Sequence, residues 1–170
     1  MEYTEDKIRD IVMRVIYDNL GKVGTFNGQG KYASFQIENE HILAYCEAEQ
    51  SQEYRLPNGF TISHNSDILI SAKRKNRDSE KSYISIEIKH RSAVTDQFKT
   101  RAFDMLHLKQ TYGSRIYGIM LFVRADTGIS FRQAEKISYP FDKFIPVEYS
   151  QLDRQDAWDE LLTTISKILT

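Results

Sequence analysis

The chain has 170 residues, a length that suits one domain able to bury a real core. Its 41% hydrophobic and 28% charged residues exclude a low-complexity class, and a net charge of −1 excludes a chain that binds nucleic acid by bulk charge. No apolar run approaches a membrane span, and the acidic start Met1–Asp6 is not expected to be a signal or a transit peptide. Cys46 is the one cysteine, so no disulfide framework and no cysteine-based zinc site is expected. The expected setting is reducing and cytoplasmic, with Cys46 a small buried hydrophobe.

Residues 4–20 predict a helix, with Thr4 as N-cap, Glu5 and Asp6 at the positive end of the dipole, and Gly21 as the stop. Ile8, Ile11, Val12, Val15 and Ile16 form its apolar stripe. The glycines at 21, 24, 28 and 30 mark a turn. They form no phosphate loop, because no strand precedes them and no Lys-Ser/Thr follows. Tyr32–Ile37 and His41–Cys46 are strand candidates, and the polar Glu47–Glu53 run is expected to separate them from Tyr54–Leu56. Pro57-Asn58-Gly59 is a turn, after which Phe60–Ile62 resumes extended structure.

Two β-branched runs follow, Ser66–Ser71 and Tyr83–Lys89, flanking the polar connector 72–82. They predict neighbouring antiparallel strands. Thr95–Tyr112 predicts a second helix capped by Thr95 or Asp96, with Phe98, Ala102, Met105, Leu106 and Leu108 or Lys109 on its apolar face and Gly113 as its end. Arg115–Val123 is almost unbroken apolar sequence, as in a central strand covered on both faces. Residues 124–143 contain a short helical turn near Phe131–Lys136, and Phe144–Val147, with Pro146, predicts an edge strand. Residues 151–169 predict an amphipathic helix with Leu152, Trp158, Leu161, Leu162, Ile165 and Leu169 inward. The expected fold is α/β in a single domain, 1–170: a mixed central sheet flanked by helices. The crossover helix at 95–112 implies parallel strands on either side of it.

Charge is unevenly spread. Residues 1–70 hold 6 basic and 11 acidic residues, 71–115 hold 11 and 5, and 116–170 hold 6 and 8. A local basic face steers a polyanion even at near-zero net charge. Read alone, Lys73–Arg77 is equally a solvated hairpin tip.

The basic third holds the candidate chemistry. Alternation puts Ser85, Glu87 and Lys89 on one strand face and Ile84, Ile86 and Ile88 on the core face. If the two strands pair, Asp67 approaches Glu87. Facing carboxylates repel, and a divalent cation removes that cost. Few hard oxygen ligands with room for water suit Mg²⁺. Lys89, a compact ammonium close by, would activate water or stabilise a phosphate transition state.

Ser66-Asp67-Ile68 and Glu87-Ile88-Lys89, within the order helix, strands, helix, strand, resemble the PD-(D/E)xK nuclease superfamily, the restriction-endonuclease-like fold. The resemblance spans about residues 4–123, and residues 151–169 would be an added C-terminal helix. It implies a metal-dependent DNA endonuclease of the restriction or repair type. Asp67, Glu87 and the Ile88 carbonyl would hold Mg²⁺, or Mn²⁺ in its place, and Lys89 would serve the attacking water. Ser66 stands where the family usually has proline. Glu5 and Asp10 are the candidates for the first-helix acid that many members use, and Gln97 and Lys99 fall where some place a supporting polar residue.

Glu-x-Lys alone specifies little, since Glu5-Asp6-Lys7 has the same spelling at a helix start. Lys73, Arg74, Lys75, Arg77, Arg91, Lys99 and Arg101 are the expected DNA-phosphate contacts. Of His41, His64, His90 and His107, none has zinc-ligand spacing, and His90, next to Lys89, is the one expected near the site. A homodimer is expected because paired cuts on duplex DNA need two sites; if the chain is instead a binding module, the C-terminal helix with Trp158 is the expected dimer surface. The alternatives are a degenerate nuclease-fold module that binds nucleic acid or protein, and an RNA-directed nuclease of the same fold.

Overall fold

The computed structural model describes residues 3–21, 33–76, 80–91, 95–125 and 128–170, with Arg91 described as backbone. Helix α1 spans Glu5–Leu20, and the Thr4 hydroxyl accepts the Lys7 N–H at 3.3 Å. Gly21 follows it with an extended backbone, and a Cβ there would stand 2.6 Å from the Tyr17 carbonyl oxygen. The expected glycine turn lies, beyond Gly21, outside the described residues.

Strands β1 (Ser34–Glu38), β2 (Ile42–Arg55), β3 (Thr61–Arg74) and β4 (Ser82–Arg91) form an antiparallel meander. Helix α2 (Thr95–Tyr112) crosses to β5 (Ile116–Arg124), which is parallel to β4. Helix α3 (Phe131–Ile137) leads to β6 (Lys143–Glu148), parallel to β5 at the sheet edge, where Pro146 faces solvent. The six strands lie in sequence order. This is the mixed α/β sheet expected, with parallel strands on either side of α2.

One face of the sheet carries α1 and α4 (Asp159–Ile168) against Ile68, Ile70, Ile84, Ile86, Ile88, Ile119, Leu121 and Val123. Each fully buried isoleucine there contributes about 1.5–3 kcal/mol relative to exposure. The other face carries α2 and α3, with Phe98 and Ala134 on Met120 and Phe122, and Met105 and Leu108 on Tyr54 and Ile116. Gly118 lets α2 come close to β5, because a Cβ there would meet the Met105 side chain at 2.8 Å. Among the described residues no helix is long and apolar enough to cross a membrane.

Four expectations change. The Glu47–Glu53 run does not interrupt the strand: β2 is continuous over 14 residues, because the ladder to β3 pairs backbones and leaves many of the polar side chains exposed. The C-terminal helix starts at Asp159, not 151. Two 3-10 turns, Tyr149–Gln151 and Gln155–Trp158, precede it and tuck Leu152 and Trp158 inward. Trp158 is therefore no dimer surface. It is 1% exposed, and its indole N–H donates to the Leu152 carbonyl at 3.2 Å. Leu106, expected on the apolar face of α2, is 40% exposed.

The β2–β3 ribbon has one irregularity. Its register is the same from Ile42↔Arg74 to Arg55↔Thr61, yet the pair Glu49/Asp67 is missing from the ladder. Glu49 has φ +50°, a left-handed conformation uncommon outside glycine and asparagine. Before it, Ala44, Cys46 and Ala48 point into the α1–α4 layer; beyond it, Tyr54 packs with Met105 and Leu108 of α2. Even-numbered positions of one strand thus serve opposite layers, and the ribbon turns over at Glu49. Arg9 of α1, itself buried, holds Glu49 at 2.8 Å and Asp6 at 2.7 Å.

Candidate active site

Asp67 sits where that ribbon turns over and where β3 and β4 part. Their last backbone pair is Ile68↔Ile86. Beyond it, Asp67 Oδ2 accepts the Ile88 N–H at 2.6 Å, so a carboxylate takes the donor that the next strand would have taken. The peptide it binds joins Glu87 to Ile88, which brings the two acids together as expected. Asp67 is 7% exposed and Glu87 is fully buried.

Glu87 does not stand alone. Its Oε1 lies 2.6 Å from His64 Nε2, and His64 Nδ1 lies 3.2 Å from Asp104 Oδ2. The Tyr54 hydroxyl donates to Asp104 Oδ1 at 3.1 Å. Arg101 of α2 leans between the two acids, 3.6 Å from Glu87 Oε2 and 3.9 Å from Asp104 Oδ2. Glu87 Oε2 is buried with no hydrogen bond. Ser66 and Ser85 join hydroxyls at 2.7 Å just below the acids. His64 is thus in the site, which sequence spacing missed. The signal was its place three residues before Asp67, visible only once the ribbon turns over. His90 is nearby too, 3.7 Å from Glu5.

Burial raises the pKa of Asp67; the Ile88 N–H and the charges of Lys89 and Arg101 oppose it, and Glu5 adds to it. Burial likewise raises Glu87, against the pull of His64 and Arg101 and with the push of Asp67. Asp104 is lowered: burial works against this, and His64, Tyr54 and Arg101 outweigh it. For His64, burial favours the neutral ring, but the bonds and charges of Asp104 and Glu87 override it and raise the pKa to about 9. Its contribution to stability is therefore complete below the unfolded value of 6.5 and is lost as pH rises through about 9. We expect the urea midpoint to fall between pH 7 and pH 9.5, and to fall less in His64→Gln. Equal falls in the two proteins would exclude His64 as the cause.

The expected site residues divide. Asp67, Glu87 and Ile88 come together, and Lys89, half-buried, follows on the same strand with its charge felt at Asp67. Among the described residues no hydrogen bond or ion pair engages the Lys89 ammonium. Arg101 lies inside the site, turned to carboxylates rather than outward. Lys99, two residues earlier on α2 and so on a different side of the helix, is exposed. Lys73, Arg74 and Lys75 are not at the site. Lys73 and Arg74 end β3 and Lys75 follows it, six to eight residues from Asp67, about 20 Å or more along the chain. Lys75 is ion-paired with Glu38. Arg77 and the Arg91 side chain lie outside the described residues. Of the two first-helix acids, Glu5 faces the site, and its charge reaches Asp67. Asp10 instead lines a separate groove with Asp153 and Arg154.

The donor set suits a hard divalent cation. Two buried carboxylates are raised by burial, Asp67 further by the charge of Glu5 and Glu87 further by that of Asp67, and one oxygen, Glu87 Oε2, has no hydrogen bond. Among the described residues no group of three His, Cys, Asp or Glu side chains is disposed to hold a metal, so a cation here would rest on two side chains and backbone or water oxygens.

The chain matches no family model, no curated protein and no solved structure. The functional reading therefore rests on the residues of this site.

Proposed function

We propose that the chain is a metal-dependent endonuclease that hydrolyses DNA phosphodiester bonds, of the restriction or repair type. The observation that carries this is the meeting of Asp67 and Glu87 at the point where β3 and β4 part, with Lys89 next on the same strand. The order helix, antiparallel strands, crossover helix, parallel strand around these residues supports the resemblance to the PD-(D/E)xK core. Asp67, Glu87 and the Ile88 carbonyl would hold Mg²⁺ or Mn²⁺, which supplies charge neutralisation at the phosphate and acidifies water.

The chain's own groups do the rest. Asp67 is oriented by the Ile88 N–H, and Glu87 by His64. Lys89 carries a compact positive charge beside the acids, suited to holding hydroxide character on the attacking water or taking up charge on the phosphate. Lys99, exposed on the first turns of α2, would contact the DNA backbone, and Arg101 is placed to balance the two acids. The working unit would be a cytoplasmic homodimer, one site per strand of the duplex.

A second reading has its own support. Glu87 is already engaged by His64 and approached by Arg101, as in a nuclease fold that has become a binding module for nucleic acid or protein. RNA cleavage would use the same residues. The test is a cleavage assay on plasmid, branched and single-stranded DNA and on RNA, with and without Mg²⁺. Mg²⁺-dependent nicking or cutting of DNA is expected. Tight DNA binding with no cleavage under Mg²⁺ or Mn²⁺ would replace the enzyme with the module.

A further inference from the structure

The two oxygens of Glu87 are in unequal positions. Oε1 is 2.6 Å from His64 Nε2. Oε2 is buried, has no hydrogen bond, and has Arg101 Nε at 3.6 Å. His64 is itself fixed from behind by Asp104 at 3.2 Å, and Asp104 by the Tyr54 hydroxyl at 3.1 Å. Four elements build this chain: Tyr54 from β2, Asp104 from α2, His64 from β3 and Glu87 from β4. His64 has a side-chain exposure of 3%, so water does not compete for its two bonds.

A glutamate's terminal torsion is broad and two-fold, so an untethered carboxylate offers one oxygen or both. A bond to Oε1 removes that freedom. We infer that His64 is a positioning residue: by engaging Oε1 it fixes the rotation of the Glu87 carboxylate and offers Oε2 alone to a divalent cation. This rests on the cation site proposed above. Offering a single oxygen favours Mg²⁺ or Mn²⁺, which bind few carboxylates in strict octahedral geometry. It disfavours Ca²⁺, which accepts bidentate carboxylates and irregular coordination. His64 thus sets which cation the site prefers, although it is not itself a ligand. The His64–Asp104–Tyr54 chain is also what a buried imidazole needs if it is to hold one orientation.

The test is Mn²⁺ binding by electron paramagnetic resonance, with Ca²⁺ as competitor, on the full chain. His64→Phe should weaken Mn²⁺ binding about 10–100-fold and raise the affinity of Ca²⁺ relative to Mn²⁺. His64→Gln, whose amide nitrogen falls near Nε2, should stay within about threefold of wild type on both counts. If H64F does not fold by circular dichroism, Asp104→Asn decides the question: a Mn²⁺ loss of about tenfold is expected, from the low end of the range for such outer partners. Unchanged Mn²⁺ affinity in H64F or, failing that, D104N overturns the inference. So does an equal loss in H64Q and H64F, or a loss without a change in the Ca²⁺/Mn²⁺ ratio. Mn²⁺ binding without DNA cleavage sinks the nuclease and leaves this assignment standing; no Mn²⁺ binding by wild type overturns this assignment.

Discussion

Lys89→Ala is expected to lower Mg²⁺-dependent DNA cleavage by about 10²–10³-fold or more, the cost of removing one preorganised charge from a transition state. DNA binding should change little, because Lys89 is a single cation among several basic side chains. The expectation is specific to this lysine. Its ammonium has no hydrogen bond or ion pair among the described residues, whereas Arg101 is already drawn towards Glu87 and Asp104. Lys89→Ala removes no hydrogen bond or ion pair among the described residues, so its melting temperature should match wild type. The measurement is single-turnover cleavage of plasmid at saturating Mg²⁺, alongside a filter-binding titration. Cleavage by the variant at the wild-type rate would end the assignment of Lys89 as catalytic, and with it the main chemical reason for calling this site a nuclease.

Trp158→Ala is expected to destabilise the fold by about 3–5 kcal/mol, the usual cost of deleting a large buried aromatic. Trp158 is 1% exposed and packs in the core that joins α1, α4 and the sheet. Removing the indole also leaves the Leu152 carbonyl without its donor. Urea denaturation with an unchanged slope would read the loss directly. A loss under about 1 kcal/mol accompanied by weaker self-association would return Trp158 to the role of an interface residue.

Most of the fold was legible because its signals are local. The helical stripe of α1, the apolar run of β5 and the Pro57-Asn58-Gly59 turn each carry their own period or punctuation. That turn closes with Gly59 at φ 88° and the Gly59 N–H on the Leu56 carbonyl at 2.9 Å. The start of the C-terminal helix was not legible, because Leu152 and Trp158 fit a helical stripe equally well when presented from 3-10 turns. The acids Asp67 and Glu87 could be read from alternation and strand order. His64 could not, since regular alternation puts it on the opposite face from Asp67. Only the turnover at Glu49 brings it to Glu87, and that depends on one left-handed residue with no glycine to announce it. Nor could the sequence show that the basic tip ends β3 well away from the acids. Lys73 and Glu87 are close in number but lie on strands that run in opposite directions.

The turnover at Glu49 also bears on how the protein comes apart. One continuous ribbon lines the α1 layer along half its length and the α2 layer along the other half. Neither layer can open as an independent unit without tearing strands out of the other, so amide protons in the two halves of β3 should exchange through the same global event. The bend that aims an acid at its neighbour thereby also couples the two layers of the fold in a single cooperative transition.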